Sequence, residues 1–561
     1  MNKGETGSRA ERTRQRGTSS RGEAGTPERQ AAVQAEKALS QERERRHLAH
    51  IRERRQVHFT RAGAVGLLAG AVAVAFQWAL FSVDQVRIQA LAWLHQRPAW
   101  GWTVLPVLAA VMAGLAGRLT RRFAPSAAGS GIPHVEAVLL RLRPLNWRRL
   151  LPVKFAGGLL SIGAGLSLGR EGPTVQMGAA AGKALAHVLR VPRRSESHLI
   201  ASGAGAGLAA AFNAPLAGFI FVLEELQREL SPLTYGTALI SALAADIITR
   251  AFTGQLPSFH VSGYPAPPLG ALPLAALVGV VCGLLGVAFN RGLLGTLRQF
   301  HNPRWLPVWA QPVAVGALAG LVAWWLPEAV GSGHQTAEHI LRGQIAAPQV
   351  ILALLAVKFG LTMVSYATGV PGGIFAPLLT LGALAGLLVG EAGARYVPGF
   401  TGAPAAFAVL GMGALFSAVV RAPLTGIVLI IEMTANYEQL FAVAVAALVA
   451  YLVAEHLREK PVYEALLEYD LHRSDQQPQE AGEPALVDLV VEPRSVMDGR
   501  RVRDLGLPPG CLLVTLKRGG REIVPGGDTL LQPGDQLVVI VAGEAMHAIP
   551  DLRRAARCAL D

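Results

Sequence analysis

The chain has 561 residues, 51% of them hydrophobic, with 62 Gly, only 6% aromatics and a formal net charge of +13. That apolar share over that length excludes a string of soluble domains and describes a polytopic membrane protein of closely packed helices. The positive charge sits in short segments flanking apolar runs, which is the positive-inside pattern and argues against nucleic acid as a partner. Cys282, Cys511 and Cys558 are too far apart in sequence to suggest a disulfide framework or a metal cluster.

Residues 1–58 carry 14 Lys/Arg against 8 Glu and few apolar residues. They predict a basic, disordered cytoplasmic arm, helical only near 31–55, with nothing in it resembling a signal peptide. Apolar segments follow near 62–83, 102–117, 150–168, 174–189, 199–223, 233–252, 269–290, 308–326, 350–366, 376–394, 403–418, 422–434 and 438–455. Many are interrupted by Gly or Pro, and several are too short to cross roughly 30 Å of hydrocarbon. Broken helices at membrane depth are tolerated where they line a cavity enclosed by protein. The expected fold is therefore an all-α polytopic membrane protein whose site lies near the middle of the bilayer.

An internal repeat organises these segments. Val153-Lys154-Phe155 recurs as Val357-Lys358-Phe359, and nineteen residues after each Lys stands a Pro, Pro173 or Pro377. Gly129-Ser130-Gly131 is echoed by Gly331-Ser332-Gly333. Ala214-Pro215-Leu216-Ala217-Gly218 is echoed by Ala422-Pro423-Leu424-Thr425-Gly426, with Glu224 and Glu432 each nine residues past the Pro. Landmarks kept in order at offsets of 202 to 208 divide a membrane domain, 59–470, into two inverted structural repeats, about 60–255 and 268–456, with the site at their interface.

Beyond residue 454 the character changes. Residues 455–471 are charged and predicted helical, 471–484 form a linker, and 485–545 read as a small α+β cytoplasmic domain. Its strands are expected at 486–491, 511–516 and 536–541, between Gly-Gly, Pro-Gly and Gly-Asp turns. A basic tail, 546–561, closes the chain.

The chemistry gathers at glycine-rich breaks that open helices. Three of them, Gly129-Ser130-Gly131-Ile132-Pro133, Gly169-Arg170-Glu171-Gly172-Pro173 and Gly372 to Pro377, combine Gly with a Pro suited to a first helical turn. A fourth, at Gly331, is weaker. Helix N-termini offer N–H groups of partial positive charge, which hold an anion loosely enough to let it leave. Ser130 adds a hydroxyl. Glu171, expected just before a helix start, is an anion that competes for the same donors; protonation neutralises it and frees the site, coupling proton to anion movement. The structural alternative is a carboxylate simply paired with Arg170. A membrane enzyme is disfavoured, since there is no His-Glu-x-x-His and Gly178 to Lys183 lacks the spacing of a phosphate-binding loop.

Gly129 to Pro133, Gly169 to Pro173 and Gly373-Ile374-Phe375-Ala376-Pro377 resemble the three signature motifs of the CLC chloride channel/transporter family, in particular its prokaryotic H+/Cl- exchangers. The likeness continues through Phe212 to Leu216 and Lys460-Pro461-Val462-Tyr463, covering about 60–470. It implies chloride and protons as substrates, no cofactor, and a homodimer in the cell (inner) membrane with both termini cytoplasmic. It also implies Ser130 and Tyr463 as hydroxyl donors to the anion, Ile374 and Phe375 as backbone N–H donors, Glu171 as the gating glutamate, and Glu225 as the second acid that relays protons in exchangers. Relatives selective for nitrate or fluoride depart at the Ser130 position, so Ser here implies chloride.

The repeat supports Glu225 independently: Glu224 has Glu432 as its counterpart, whereas Glu225 has Met433. A proton-coupled antiporter is the expected function, with a passive voltage- or ligand-gated channel of the same fold as the alternative. Lys154 and Lys358, present in both halves, are expected to pack or to snorkel, with attraction of the ion as the alternative. Residues 485–545 resemble the C-terminal module of potassium-uptake regulators (TrkA-C type) through Arg501 to Leu505, Gly526-Gly527-Asp528 and Gln532 to Asp535, which implies a small regulatory ligand, nucleotide-like.

Overall fold

The computed structural model describes residues 27–557 except 229–230, 260–267, 303–305, 346, 398–402, 475–484, 520, 543–544 and 546–547. Residues 1–26 of the expected arm, most of the expected linker and the last residues of the tail lie outside these. The chain divides into two compact units, 1–57 and 58–561. In the first, the described residues are already helical from Pro27, as part of α1 (Pro27–His95). A helix was the expectation near 31–55; the described one begins four residues earlier, and the Ala, Gln, Glu and Arg that fill this stretch are strong helix formers.

In the second unit, the first repeat continues with α2 (Pro98–Phe123), α3 (Ile132–Leu139), α4 (Trp147–Gly163) and α5 (Glu171–Val188). It closes with α6 (Arg193–Phe212), α7 (Pro215–Phe221) and α8 (Pro232–Thr253). The second repeat runs through α9 (Leu272–His301), α10 (Gln311–Trp325), α11 (His334–Leu341) and α12 (Pro348–Ala367). It ends with α13 (Phe375–Tyr396), α14 (Pro404–Val420), α15 (Pro423–Thr434) and α16 (Leu440–His456), and α17 (Val462–Ser474) follows. Among the described residues, seven helices are long and apolar enough to cross a membrane.

Several sequence expectations are corrected. The segment 199–223 is two helices, because Asn213 takes a left-handed conformation (φ 54) that ends α6, and Pro215 opens α7. The charged stretch after 454 is likewise not one helix: α16 ends at His456 and α17 begins at Val462. The eight-residue helices α3 and α11 were not among the apolar segments at all.

The inversion is visible where the halves meet. Gly169 and Gly373, equivalent at an offset of 204, exchange two backbone hydrogen bonds (2.6 and 2.8 Å) as an antiparallel pair. Equivalent residues can pair antiparallel only if a two-fold axis relates them. The Glu224 carboxylate accepts from the amides of Leu424 and Thr425 at the start of α15 (3.1 and 2.7 Å). Glu432 accepts reciprocally from Leu216 and Ala217 at the start of α7 (3.1 and 2.8 Å). Each carboxylate thus satisfies orphan N–H groups of the opposite half.

Close helix approach is also duplicated. A Cβ on Gly178 or Gly203 would run into the other's carbonyl, holding α5 against α6, and Gly382 and Gly411 hold α13 against α14 in the same way.

The C-terminal domain is a four-stranded antiparallel sheet in the order β1 (Ala485–Val490), β4 (Gln536–Val541), β2 (Cys511–Arg518), β3 (Arg521–Ile523). Inward-facing Val487, Leu489, Leu513, Leu516, Leu537 and Val539 form its core together with Ile549 and Leu552 of α18 (Ile549–Ala556). The supposed basic tail therefore begins as an amphipathic helix of the domain, its apolar face on the sheet and its Arg residues outward.

Candidate functional site

The three Gly-Pro breaks converge on one point. Ser130 precedes α3, whose N-cap Gly131 is left-handed (φ 88) and provides no side-chain cap. Its hydroxyl lies against the backbone of Gly172 in the first turn of α5, where a Cβ would collide with Ser130 Oγ. Gly373 abuts Gly172 in turn: a Cβ there would sit 3.1 Å from the Gly172 nitrogen. Ile374 is the N-cap of α13 and Phe375 its first residue, with no side-chain cap on that end either. Ile132, Pro133, Pro173 and Pro377 all fall in the first helical turns, where a missing N–H costs nothing. The uncapped starts of three helices thereby meet through buried Ser130, Gly172 and Gly373.

Glu171 is the first residue of α5 rather than the residue before it. Its side chain, 2% exposed, folds back over Gly169 toward the amide of Ala376 in the first turn of α13. Among the described residues, Glu171 Oε2 has no hydrogen-bond partner. Arg170 makes no ion pair with it in the structure; the guanidinium donates to the Ala211 carbonyl (3.3 Å). Ser130 Oγ and Tyr463 OH are also buried without partners. Tyr463, in the first turn of α17 against α3, is within electrostatic reach of Glu171 and of Glu225 and Glu136 alike. Phe375 packs its ring between Phe212 and Phe416 (5.6 and 4.6 Å), leaving its backbone to face the junction.

Glu225 stands apart, on a π-helical stretch (Val222–Gln227) that continues α7. Such wide turns often occur at functional positions. It is 3% exposed and its Oε1 lacks a partner, whereas adjacent Glu224 is engaged with α15.

Several residues that hold the site were not singled out from sequence or were misread there. Lys154 and Lys358 neither snorkel nor merely pack. Both are fully buried, and each ammonium donates to two carbonyls of a glycine-rich loop: Lys154 to Ala127 and Gly129 (3.0 and 2.7 Å), Lys358 to Ala329 and Gly331 (3.3 and 3.2 Å). Turning those carbonyls toward lysine aims the loop N–H groups the other way. Their similar spacing from the loops, 25 residues from Gly129 and 27 from Gly331, was the available signal. Gln77 ties α1 to the end of α6 through the Ala210 carbonyl (2.8 Å), and Asn290 ties α9 to the end of α14 through Val419 (3.3 Å). Neither carries a sequence signal.

Residues 112–455 match the family described as Voltage gated chloride channel. The H(+)/Cl(-) exchange transporter ClcA of Salmonella agona (strain SL483) is 38% identical over 423 residues, 74% of this chain and 89% of that protein. The chain belongs to the voltage gated chloride channel (CLC) family. As a CLC protein it is an integral, multi-pass membrane protein. A slow cyanobacterial Cl-/H+ antiporter of known crystal structure shares the architecture with a TM-score of 0.72 at 36% identity, over 74% of this chain and 99% of that one. A eukaryotic CLC transporter shares the fold at 23% identity (TM-score 0.62), over 74% of each chain. Residues 486–552 match the TrkA-C domain, a range that reaches into α18.

Proposed function

We propose that this CLC protein exchanges protons for chloride across the membrane, with Glu171 as the gate both substrates share and Glu225 as the second proton carrier. One observation carries the reading: the Glu171 carboxylate lies at the uncapped N-terminus of α13, the unpartnered Ser130 hydroxyl rests on the adjacent Gly172, and the unpartnered Tyr463 hydroxyl is within electrostatic reach. An ionised Glu171 occupies donors that chloride needs. A protonated one no longer competes as an anion, so chloride takes its place and the proton leaves with the side chain. Donors of partial charge keep chloride exchangeable, as conduction requires.

The relatives described as H+/Cl- exchangers, and an acid at 225 rather than an apolar residue, support exchange over passive conduction. With it we propose a homodimer in the cell membrane, both termini cytoplasmic in keeping with the basic flanks, and a nucleotide-like regulator at the TrkA-C domain.

The test is simultaneous proton and chloride flux on purified protein in liposomes. A chloride gradient is expected to drive protons uphill, and Glu225→Gln to abolish proton movement while chloride still passes. Intact chloride flux with no proton movement by the unsubstituted protein would make it a passive channel.

A further inference from the structure

Glu225 is buried, so a proton arriving from water needs an earlier stop. Glu224, its neighbour, does not supply one. Its carboxylate is committed to the Leu424 and Thr425 amides and to the Thr425 hydroxyl (2.7 Å), and its role is reciprocated by Glu432.

Arg228 points to another route. It closes the π-helical turn in a left-handed conformation (φ 52), which is strained for a non-glycine residue. The guanidinium bridges to Glu464 (Nη1 to Oε2 3.6 Å) and lies in the field of Glu225 and of Glu136 on α3. Glu136 is 6% exposed, so it is as cut off from water as Glu225. The Glu464 side chain is 43% exposed and follows Tyr463 directly in the first turn of α17. The titratable and charged groups around this cluster are thus Glu136, Glu224, Glu225, Arg228, Tyr463 and Glu464. Arg228 is thus the cation whose field reaches the exposed Glu464 and the buried Glu136 and Glu225 alike.

We propose that Glu464 is the proton inlet of this transporter, taking protons from water on the side where α17 leads to the TrkA-C domain and passing them beside Arg228 to Glu225. Arg228 is a positioning residue that holds the two carboxylates near one another. In each passage an O–H bond on Glu464 breaks as one forms on Glu225 Oε1, directly or through water, and Glu464 returns to the carboxylate. The step is reversible and needs no other reactant. It rests on the antiport reading above.

The experiment compares Glu464→Gln, Glu464→Asp and the double variant with Glu225→Gln, all full-length, by paired proton and chloride flux across a range of pH on that side. Glu464→Gln is expected to slow coupled turnover about tenfold, most at high pH, where protons are scarce, and Glu464→Asp to recover most of it. In the Glu225→Gln background, where chloride moves without protons, adding Glu464→Gln should leave chloride flux unchanged. Coupled turnover and pH profile unaltered by Glu464→Gln would overturn the inference. So would equal slowing of chloride in the Glu225→Gln background, which marks a structural role for α17. Absence of proton flux in every variant, the unsubstituted protein included, would remove the antiport reading and this inference together.

Discussion

The two halves of the membrane domain are built alike and equipped differently. Lys154 and Lys358 clamp equivalent loops, Glu224 and Glu432 cap each other's helices, and glycines at equivalent positions bring α5 to α6 and α13 to α14. Every one of these polar groups is met by a partner. Where the halves diverge, the first half leaves groups unmet. Glu171 Oε2 has no partner, while Phe375 stands in the corresponding motif. Glu225 Oε1 has none, opposite Met433. The shared serine shows the same split: Ser332 Oγ accepts from the His334 amide (3.4 Å), but Ser130 Oγ is unpartnered. Gln176 keeps an unmet Oε1, whereas its counterpart Thr380 donates to Gly333 and Ala376 (3.0 Å each). A buried polar group without a partner costs roughly 1–3 kcal/mol. Reciprocated residues therefore build the scaffold, whereas Glu171, Glu225, Ser130 and Gln176 in the first half keep an oxygen unmet among the described residues.

The largest break in this comparison comes from Glu171→Ala. Proton coupling is expected to vanish, with proton flux at background in liposomes, while chloride flux persists. Retained coupling would show that the titratable group unique to the first half is not the gate.

A middle-sized effect separates scaffold from site. Lys154→Met and Lys358→Met each leave two loop carbonyls short of a donor, so each should lower stability by about 2 kcal/mol, read as a reduced Tm in detergent. The two losses should match, because the clamps do. A large stability loss in one variant alone would show that the halves do not carry the scaffold equally.

The smallest effect contrasts an unpaired buried carboxylate with a paired one. In the C-terminal domain Asp535 is buried, which pushes its carboxyl up, but the Arg518 guanidinium grips both oxygens (2.8 and 2.7 Å) and the Gln532 amide adds a bond (2.8 Å). The net result holds Asp535 below the usual carboxylate range. Its stabilisation is thus complete above the ordinary Asp value of about 3.9 and is lost as pH falls through the lowered one. Hydrogen exchange of β4 amides in the full chain should quicken below that range, and Arg518→Ala should flatten the dependence.

Much of this was legible without coordinates because identical residues at fixed offsets survive in both halves. The offset of 204 from Lys154 to Lys358 marks the repeat, and the Gly-Pro breaks mark the uncapped helix starts. The extents of the eight-residue helices α3 and α11, whose starts the glycine-rich breaks mark, were not, since two turns are too short to show a period. Nor was the function of the lysines, because a carbonyl clamp depends on how a loop folds over the side chain.

By itself, the sequence determined that the chain is a two-fold repeated membrane protein with helices opened by Gly-Pro breaks, and that Glu171 and Glu225 face Phe375 and Met433 in the other half. These are statements about residue kinds and spacings, which are local. Only the tertiary structure decided that Ser130, Gly172 and Gly373 meet at one point, that Tyr463, from α17 outside the repeats, comes within electrostatic reach of Glu171, and that Arg228 pairs with Glu464. Those contacts join residues far apart in the chain and depend on how the two halves pack, a non-local result of buried surface that no short-range pattern encodes.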